Sequence, residues 1–292
     1  MKTIFFGASA YVLPIIDLLY KKYDLQLVVT TEQNLSDPVP QFCTKNAIPF
    51  VSVKKLDDAT LAKIKHVSAP FAVLADFRIL VKQDVIDIFP KGIINIHPSL
   101  LPQYRGPTPG TSAILDGKKE TGVSLMVLDK DMDHGPTIGQ IKEHIEPTDT
   151  SVTLYTRLFA KGAQLLEEVL PGYIDGKITP KKQDHTKATY TTYLTRESGF
   201  VAKEALEQMD ATKRDAMIRA YYPWPGVWTR LNLNGNERIV KLLPPVIPSE
   251  VEGSQPKIEI LLQVEGKKPV SPKDFLNGYP GAKELLQKLG IL

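Results

Sequence analysis

The chain has 292 residues, of which 42% are hydrophobic and 24% are charged, and its net charge is +3. This length allows one large domain or two, and the apolar share is enough to form a buried core. No apolar run reaches the roughly 18 residues of a membrane span, and the N-terminal segment lacks the cleavage pattern of a signal peptide. Cys43 is the only cysteine, which excludes an intramolecular disulfide and a thiolate metal cluster. We therefore expect a cytoplasmic protein without a membrane segment. The small positive charge is compatible with a nucleic-acid partner but does not require one.

Short apolar runs alternate with helix-length amphipathic segments through the first half of the chain. The predicted strands are TIFFG (3–7), LQLVVT (25–30), FAVLA (71–75) and KGIINIH (91–97), and the helices between them include VLPIIDLLY (12–20) and DDATLAKIKHV (57–67). Continuous apolar strands that alternate with helices indicate an open, mostly parallel sheet covered on both faces. The predicted fold class is α/β with a doubly wound sheet.

The next segments change their periodicity. GVSLMVLD (122–129) and TIGQIKEHI (137–145) alternate apolar and polar residues, which predicts a hairpin-like pair of strands near a sheet edge. The stretch from residue 151 to 170 has helical periodicity, with Thr150 as its predicted cap.

The composition changes again near residue 179. The polar segment 181–197 has no sustained period and is predicted to be a linker between a first domain, 1–180, and a second domain, 198–292. The second domain is predicted to be small, β-rich and OB-like, because it contains the strand-like runs RIVKLL (238–243) and KIEILLQV (257–264) around a surface loop at 244–256.

The segment INIHPSLLPQYRGPTP (94–109) begins with a polar pair on an otherwise apolar strand. Asn95 and His97 alternate along a predicted strand, so their side chains lie on one face, and Pro98 ends the strand. Open α/β sheets bind ligands at the carboxyl ends of their strands, and an amide beside an imidazole can donate hydrogen bonds to a developing oxyanion. The alternative is that both side chains only cap a turn.

The first predicted strand-to-helix turn argues against nucleotide cofactors. FGASA (6–10) contains a single glycine, whereas dinucleotide sites use G-x-G-x-x-G and nucleoside triphosphate sites use a Walker-type loop. An enzyme that uses a nicotinamide cofactor or a nucleoside triphosphate is therefore disfavoured.

The segment DKDMDHGPTIGQ (129–140) has aspartates at alternate positions, as in a calcium loop. A calcium loop of this type requires glycine at its sixth position and glutamate at its twelfth, where this chain has His134 and Gln140. The scattered residues His66, His144 and His185 do not have metal-ligand spacing either. No metal site is predicted; Asp129 and Asp131 are expected to be turn residues, and Gly135 to give the loop its backbone freedom.

Two motifs carry a family resemblance. NIHPSLLPQYRGPTP (95–109), followed by MDHGPTIGQ (132–140), resembles the pattern N-x-H-x-S-L-L-P-x-[YW]-R-G then D-x-G-x-I of the formyltransferases that use 10-formyltetrahydrofolate. In the second half, RAYYPWPGVWT (219–229) and QVEGKKPVSPKDFLNG (263–278) resemble the methionyl-tRNA formyltransferases in particular. The resemblance extends over nearly the whole chain.

The resemblance implies a catalytic trio of Asn95, His97 and Asp133. An amine would attack the formyl carbon, Asn95 and a protonated His97 would stabilise the oxyanion, and Asp133 would pair with His97 and relay the proton of the amine. The folate contact of the family would correspond to Ser99, Leu100, Leu101 and Pro102. The implied co-substrate is 10-formyltetrahydrofolate, the implied partner is initiator methionyl-tRNA, and we expect a monomer without a metal.

Two departures keep other functions open. The family has a long basic loop after the second strand, whereas TEQNLSDPVPQF (31–42) contains neither lysine nor arginine. ADFRILV (75–81) places Phe77 and Arg78 where the family has Tyr and Gly in its folate-pocket loop. A formyltransferase for a nucleotide-linked amino sugar is therefore one alternative. A non-catalytic folate-binding module is another, although the intact trio argues against it.

Three further features have competing structural explanations. Arg105 is expected to fix its loop through an ion pair and not to contact substrate. The aromatic run YYPWPGVWT (221–229) suits stacking on bases, but packing as a cluster at a domain interface is favoured. Lys267, Lys268 and Lys273 form a modest basic group that suits either phosphates or solvent.

Overall fold

The computed structural model of the protein describes residues 1–245 and 260–292. They form two compact units, which comprise Met1–Pro109, Glu120–His144 and Tyr155–Thr191 in the first and Gly110–Lys119, Ile145–Leu154 and the described part of Thr192–Leu292 in the second. The domain bounds 1–180, 181–197 and 198–292 stay a prediction. Most of the surface loop expected at 244–256, and the start of the strand-like run at 257–264, lie outside the described residues.

A seven-stranded sheet forms the centre of the first unit. In chain order its strands are β1 (Lys2–Gly7), β2 (Asp24–Thr30), β3 (Phe50–Ser52), β4 (Phe71–Ala75), β5 (Ile93–His97), β6 (Glu120–Val127) and β7 (Thr137–His144). Their spatial order is β3-β2-β1-β4-β5-β6-β7; β1 to β5 are parallel, and β6 and β7 continue the sheet as an antiparallel pair. The predicted α/β class and the predicted hairpin at the sheet edge are confirmed.

Ten α-helices are described along the chain. They are α1 (Leu13–Lys22), α2 (Pro38–Lys45), α3 (Asp58–Val67), α4 (Gln83–Ile86), α5 (Pro109–Leu115), α6 (Ser151–Ile174), α7 (Lys203–Gln208), α8 (Ala211–Ala220), α9 (Pro272–Gly278) and α10 (Lys283–Lys288). The side chain of Asp57 caps α3 by accepting a hydrogen bond from the Thr60 amide. None of the described helices has both the length and the apolarity needed to cross a membrane.

Burial explains why β4 is apolar without alternation. Every residue of β4 and of β5 is buried, because helices cover both faces of the sheet. Helix α2 has no clear signal in the sequence, because its segment is short and contains two prolines. Pro38 stands at the first helical position, where a missing N–H and a fixed φ favour helix initiation.

The described part of the second unit contains a three-stranded antiparallel sheet of β8 (Val227–Leu233), β9 (Asn236–Leu243) and β10 (Leu261–Val264). Asn234 and Gly235 both have positive φ, which is the conformation that a two-residue hairpin turn requires. The predicted β-rich character of this region is confirmed.

Candidate active site

Strand β5 brings Asn95 and His97 to the carboxyl end of the sheet. Asn95 lies between Leu74 of β4 and Met126 of β6. The alternation of the strand places Asn95 and His97 on one face, as the sequence predicts. Asn95 is 7% exposed and His97 is 4% exposed, so both residues are buried.

The loop between β6 and β7 brings Asp133 to the same place. Oδ1 of Asp133 lies 3.3 Å from Nδ2 of Asn95, which donates to it, and 3.6 Å from Nδ1 of His97. Oδ2 accepts a hydrogen bond of 2.7 Å from the backbone N–H of Gly106. The three residues named by the resemblance are therefore neighbours in the structure, although they are separated by up to 38 positions in the chain.

The hydrogen bond of His97 to the backbone fixes one of its two ring nitrogens. Nε2 lies 2.9 Å from the carbonyl oxygen of Tyr104. A carbonyl oxygen can only accept, so Nε2 carries a proton and donates. Nδ1 is therefore the nitrogen that faces Asp133, at a distance longer than that of an ordinary hydrogen bond.

The backbone of the Asp133 loop differs from the expectation at one position. The positive φ of the loop belongs to Asp133 itself, at 50°, and not to Gly135. Gly135 is required for space, because a Cβ there would lie 1.9 Å from the carbonyl oxygen of Val127. An aspartate tolerates the left-handed region better than most side chains, so this strained position can carry a functional carboxylate.

The segment Ser99–Pro102 lies directly after β5, and its polar groups are hydrogen-bonded inside the protein. Ser99 is fully buried and donates through its hydroxyl to the carbonyl of Gln103 at 2.7 Å. The amide of Leu101 donates to the hydroxyl of Ser124, and its carbonyl accepts from the Gln140 side chain. Leu100 packs against Gly122, where a Cβ would lie 2.6 Å from a Leu100 methyl carbon. Leu100 and Pro102 are half-buried, and folate contact by Ser99 to Pro102 stays a prediction.

Arg105 fixes its loop as expected, but through neutral partners. Its guanidinium is 1% exposed and donates to Oε1 of Gln183, the hydroxyl of Tyr190 and Nδ1 of His185. Among the described residues it has no carboxylate partner, so the expected ion pair is wrong. These partners lie in the segment predicted to be a linker, which therefore packs on the candidate site. Sequence periodicity gave no signal for these contacts.

Two histidines stack beside this loop. The rings of His134 and His185 are 3.9 Å apart and nearly parallel, and Asp129 bonds Nδ1 of His134 at 2.7 Å. Asp129 also accepts from the Asp131 amide, as expected of a turn residue. Desolvation lowers the pKa of His185, and the nearby His134 and Arg105 lower it further. Within the described residues no three His, Cys, Asp or Glu side chains are grouped to hold a metal ion.

Ser9, Glu32 and Asp76 follow β1, β2 and β4 and form a second polar group. Asp76 lies in the segment 75–81, where the sequence departs from the family pattern. Burial raises the pKa of the Asp76 carboxyl, and Glu32 adds to the rise, whereas Ser9 and Arg78 lower it. Glu32 accepts from the Ser9 amide at 2.9 Å. Asp76 follows β4, the strand next to β5, so a carboxyl with a raised pKa lies at the same edge of the sheet as the candidate site and is itself a functional candidate.

The remaining features lie in the second unit. Trp228 is buried and stacks at an angle on Phe200, whereas Trp224 is 57% exposed. The aromatic run thus contains one buried and one exposed tryptophan. Lys267 bonds the hydroxyl of Tyr279 at 2.9 Å, which orients one member of the predicted basic group.

Known proteins resemble this chain over most of its length. A family model described as formyl transferase matches residues 18–170, just over half of the chain. A methionyl-tRNA formyltransferase of Thermus thermophilus is 32% identical over 308 aligned residues, covering 97% of this chain and 99% of its relative. Another, of a Roseiflexus species, is 35% identical over 240 residues, covering 78% and 73% of the two chains.

A solved structure agrees with the fold. An N-formyltransferase from Helicobacter canadensis, determined with folinic acid and dTDP-3-aminofucose, superposes with a TM-score of 0.63 and covers 90% of this chain and 96% of that one. At 17% identity this similarity supports the fold alone. The chain belongs to the formyl transferase family of enzymes, and within that family to the methionyl-tRNA formyltransferases.

Proposed function

We propose that this enzyme transfers a formyl group from 10-formyltetrahydrofolate to the amino group of initiator methionyl-tRNA, in the cytoplasm. The convergence of Asn95, His97 and Asp133 at the carboxyl end of β5 is the observation that carries the chemistry. The acceptor follows from the methionyl-tRNA formyltransferase of Thermus thermophilus, whose whole length this chain matches.

The donor groups of the site fit a formyl oxygen. Nε2 of His97 donates to the Tyr104 carbonyl, and among the described residues Nδ1 has no ordinary hydrogen bond, so a protonated His97 donates through Nδ1 to a reacting oxygen. The amide of Asn95 lies on the same face and supplies a second donor. Two fixed donors at the place where negative charge develops stabilise the transition state of acyl transfer.

Asp133 supplies the acceptor for a proton. In the reaction the amine nitrogen bonds to the formyl carbon, the bond from that carbon to the folate nitrogen N10 breaks, and one amine proton replaces the formyl group on that nitrogen. Oδ1 of Asp133 is the carboxylate oxygen that faces the site, because Oδ2 is held by Gly106. Oδ1 takes the proton from the amine, directly or through a water molecule.

The test supplies 10-formyltetrahydrofolate with either charged initiator tRNA or a nucleotide-linked amino sugar and measures formyl transfer. We expect transfer to the tRNA that disappears in His97→Ala and persists in Asp131→Asn, an exposed residue of the same loop. Transfer to neither acceptor contradicts the proposal and favours a binding module.

An amino-sugar acceptor is the second candidate. The segment 31–42 contains no lysine or arginine, and its carboxylates are used internally: Glu32 accepts from the amides of Ser9 and Val39. A segment of this kind offers no cation to the phosphates of a tRNA acceptor stem. Transfer to the sugar without transfer to tRNA would establish this candidate.

A further inference from the structure

Gln183 connects two loops of the candidate site. Its side chain is buried, at 8% exposure, in the segment that the sequence predicts to be a linker. Oε1 accepts from Nε and Nη2 of Arg105 at 3.2 and 2.7 Å. Nε2 donates to the carbonyls of Asp133 and Gly135 at 2.9 and 2.7 Å. A guanidinium only donates and a carbonyl only accepts, so these partners fix which end of the amide is which.

The two carbonyls are those of the strained part of the catalytic loop. Asp133 has a φ of 50°, a conformation that persists only where the surrounding structure holds it. The donors of Gln183 hold the carbonyl of Asp133 itself and the one two residues later. Gly106 holds the Asp133 carboxylate from the other side. The direction in which Oδ1 points is therefore set by Gly106 and Asn95 at the carboxylate and by Gln183 at the backbone.

Arg105 gives Gln183 a rigid support. The guanidinium is buried and also bonds Tyr190 and His185, and its backbone pairs with that of Thr189 and Thr191 at 2.9 and 2.7 Å. The segment 181–197 therefore holds Arg105 in place, and Arg105 orients the side chain of Gln183. Gln183 in turn orients the loop that contains Asp133.

We propose that Gln183 is a positioning residue for the formyl-transfer reaction, which holds the Asp133 carboxylate towards Asn95 and His97 through its two backbone hydrogen bonds. This inference rests on the proposed function for its role in catalysis. The simpler alternative is that Gln183 only satisfies the buried guanidinium of Arg105. The positioning role depends on the Nε2 donors of Gln183, whereas the alternative depends only on its Oε1 acceptor.

Two substitutions of similar size separate the explanations. Gln183→Glu keeps an acceptor for Arg105 but loses the two donors at neutral pH, whereas Gln183→Met loses both ends. If the donors position Asp133, both variants lower kcat about 10- to 100-fold, which is the effect of a small misplacement of a reacting group. We expect KM for both substrates to change less than about 3-fold, because neither substrate contacts Gln183 in this proposal. Gln164→Glu, at an exposed position of α6, is the matched control.

Wild-type kcat in Gln183→Glu, with loss only in Gln183→Met, would establish the simpler alternative and overturn the proposal. Crystal structures of the wild type and Gln183→Glu give a second measurement that does not depend on activity. We expect the distance from Asp133 Oδ1 to His97 Nδ1, now 3.6 Å, to change by at least about 0.5 Å in the variant. An unchanged distance overturns the positioning role even if the wild type formylates neither acceptor, and that inactivity would contradict only the proposed function.

Discussion

The backbone N–H of Gly106 donates to Oδ2 of Asp133 at 2.7 Å, and this bond gives the two carboxylate oxygens different surroundings. Oδ2 holds the loop of Tyr104, Arg105 and Gly106 against the loop that contains Asp133. The other, Oδ1, faces Asn95 and His97 and is the one available for chemistry. In the proposed reaction, Oδ2 of Asp133 thus has a structural role and Oδ1 a chemical one.

This division predicts the effect of Asp133→Asn. The amide oxygen replaces Oδ2 as acceptor for Gly106, and asparagine tolerates the positive φ, so the loop keeps its shape. The NH₂ group then faces the amide of Asn95 and Nδ1 of His97 and can accept no proton. We expect kcat to fall about 100- to 10,000-fold, as for the loss of a general base, with folate binding largely intact. Steady-state kinetics and folate titration measure the two effects.

Asp131→Asn is the control, because Asp131 is an exposed residue of the same loop. Near-normal turnover in Asp133→Asn would show that the assignment of the carboxylate is wrong.

Local patterns in the sequence predicted the strands that carry the candidate site. Alternation along β5 placed Asn95 and His97 on one face, and the apolar runs gave the parallel sheet. The family motif singled out Asp133 among three aspartates, which spacing alone did not do. The contacts of Gln183 and His185 with Arg105 had no such signal, because they join a polar, aperiodic segment to a residue about 80 positions away. Tertiary hydrogen bonds of this kind leave no period in the sequence.

Gly106→Ala tests the structural side of the same bond. Gly106 has a φ of 107°, and a Cβ there would lie 2.8 Å from the Thr191 hydroxyl and 2.9 Å from its carbonyl oxygen. Backbone strain alone costs about 1–3 kcal/mol, and the clash adds to this. We expect a lower free energy of unfolding, measured by denaturant titration, and a lower kcat, because the N–H that holds Asp133 moves.

Gly176→Ala is the matched control for this substitution. Gly176 has a φ of 74°, but nothing lies within 4 Å of a Cβ built there. We expect a loss of about 1–2 kcal/mol from the left-handed conformation and unchanged kcat. Equal losses of stability in the two variants would mean that Thr191 moves away without cost and that the clash does not lower the free energy of unfolding.

Asp76→Asn is expected to stabilise the protein at neutral and alkaline pH. Burial raises the pKa of Asp76 in the folded state, so the unfolded carboxyl ionises more readily. Stability linked to this group is fully present below its unfolded pKa of 3.8 and is lost as pH rises through the higher folded pKa. Asparagine removes this loss and accepts the positive φ of the site, so the Tm difference should be positive at pH 8 and shrink towards pH 4.

Asp131→Asn, at an exposed position, should show no such trend. A Tm difference for Asp76→Asn that is independent of pH would mean that the carboxyl is not destabilised by burial.

His185 gives a pH dependence of the opposite sign. Desolvation, with His134 and Arg105 as lesser causes, lowers the pKa of His185 below its usual 6.5, so the unfolded state binds the proton more readily. The linked stability is therefore fully present above pH 6.5 and is lost as pH falls towards the lowered folded pKa. Nδ1 accepts from Arg105 at 2.8 Å, and protonation of Nδ1 would break that bond. We expect the wild-type Tm to fall between pH 7.5 and pH 5 more steeply than the Tm of His185→Gln, whose amide oxygen can still accept from Arg105.

His66→Gln, on the exposed side of α3, is the control and should follow the wild-type profile. Parallel profiles for the wild type and His185→Gln would show that the acid sensitivity arises elsewhere in the molecule.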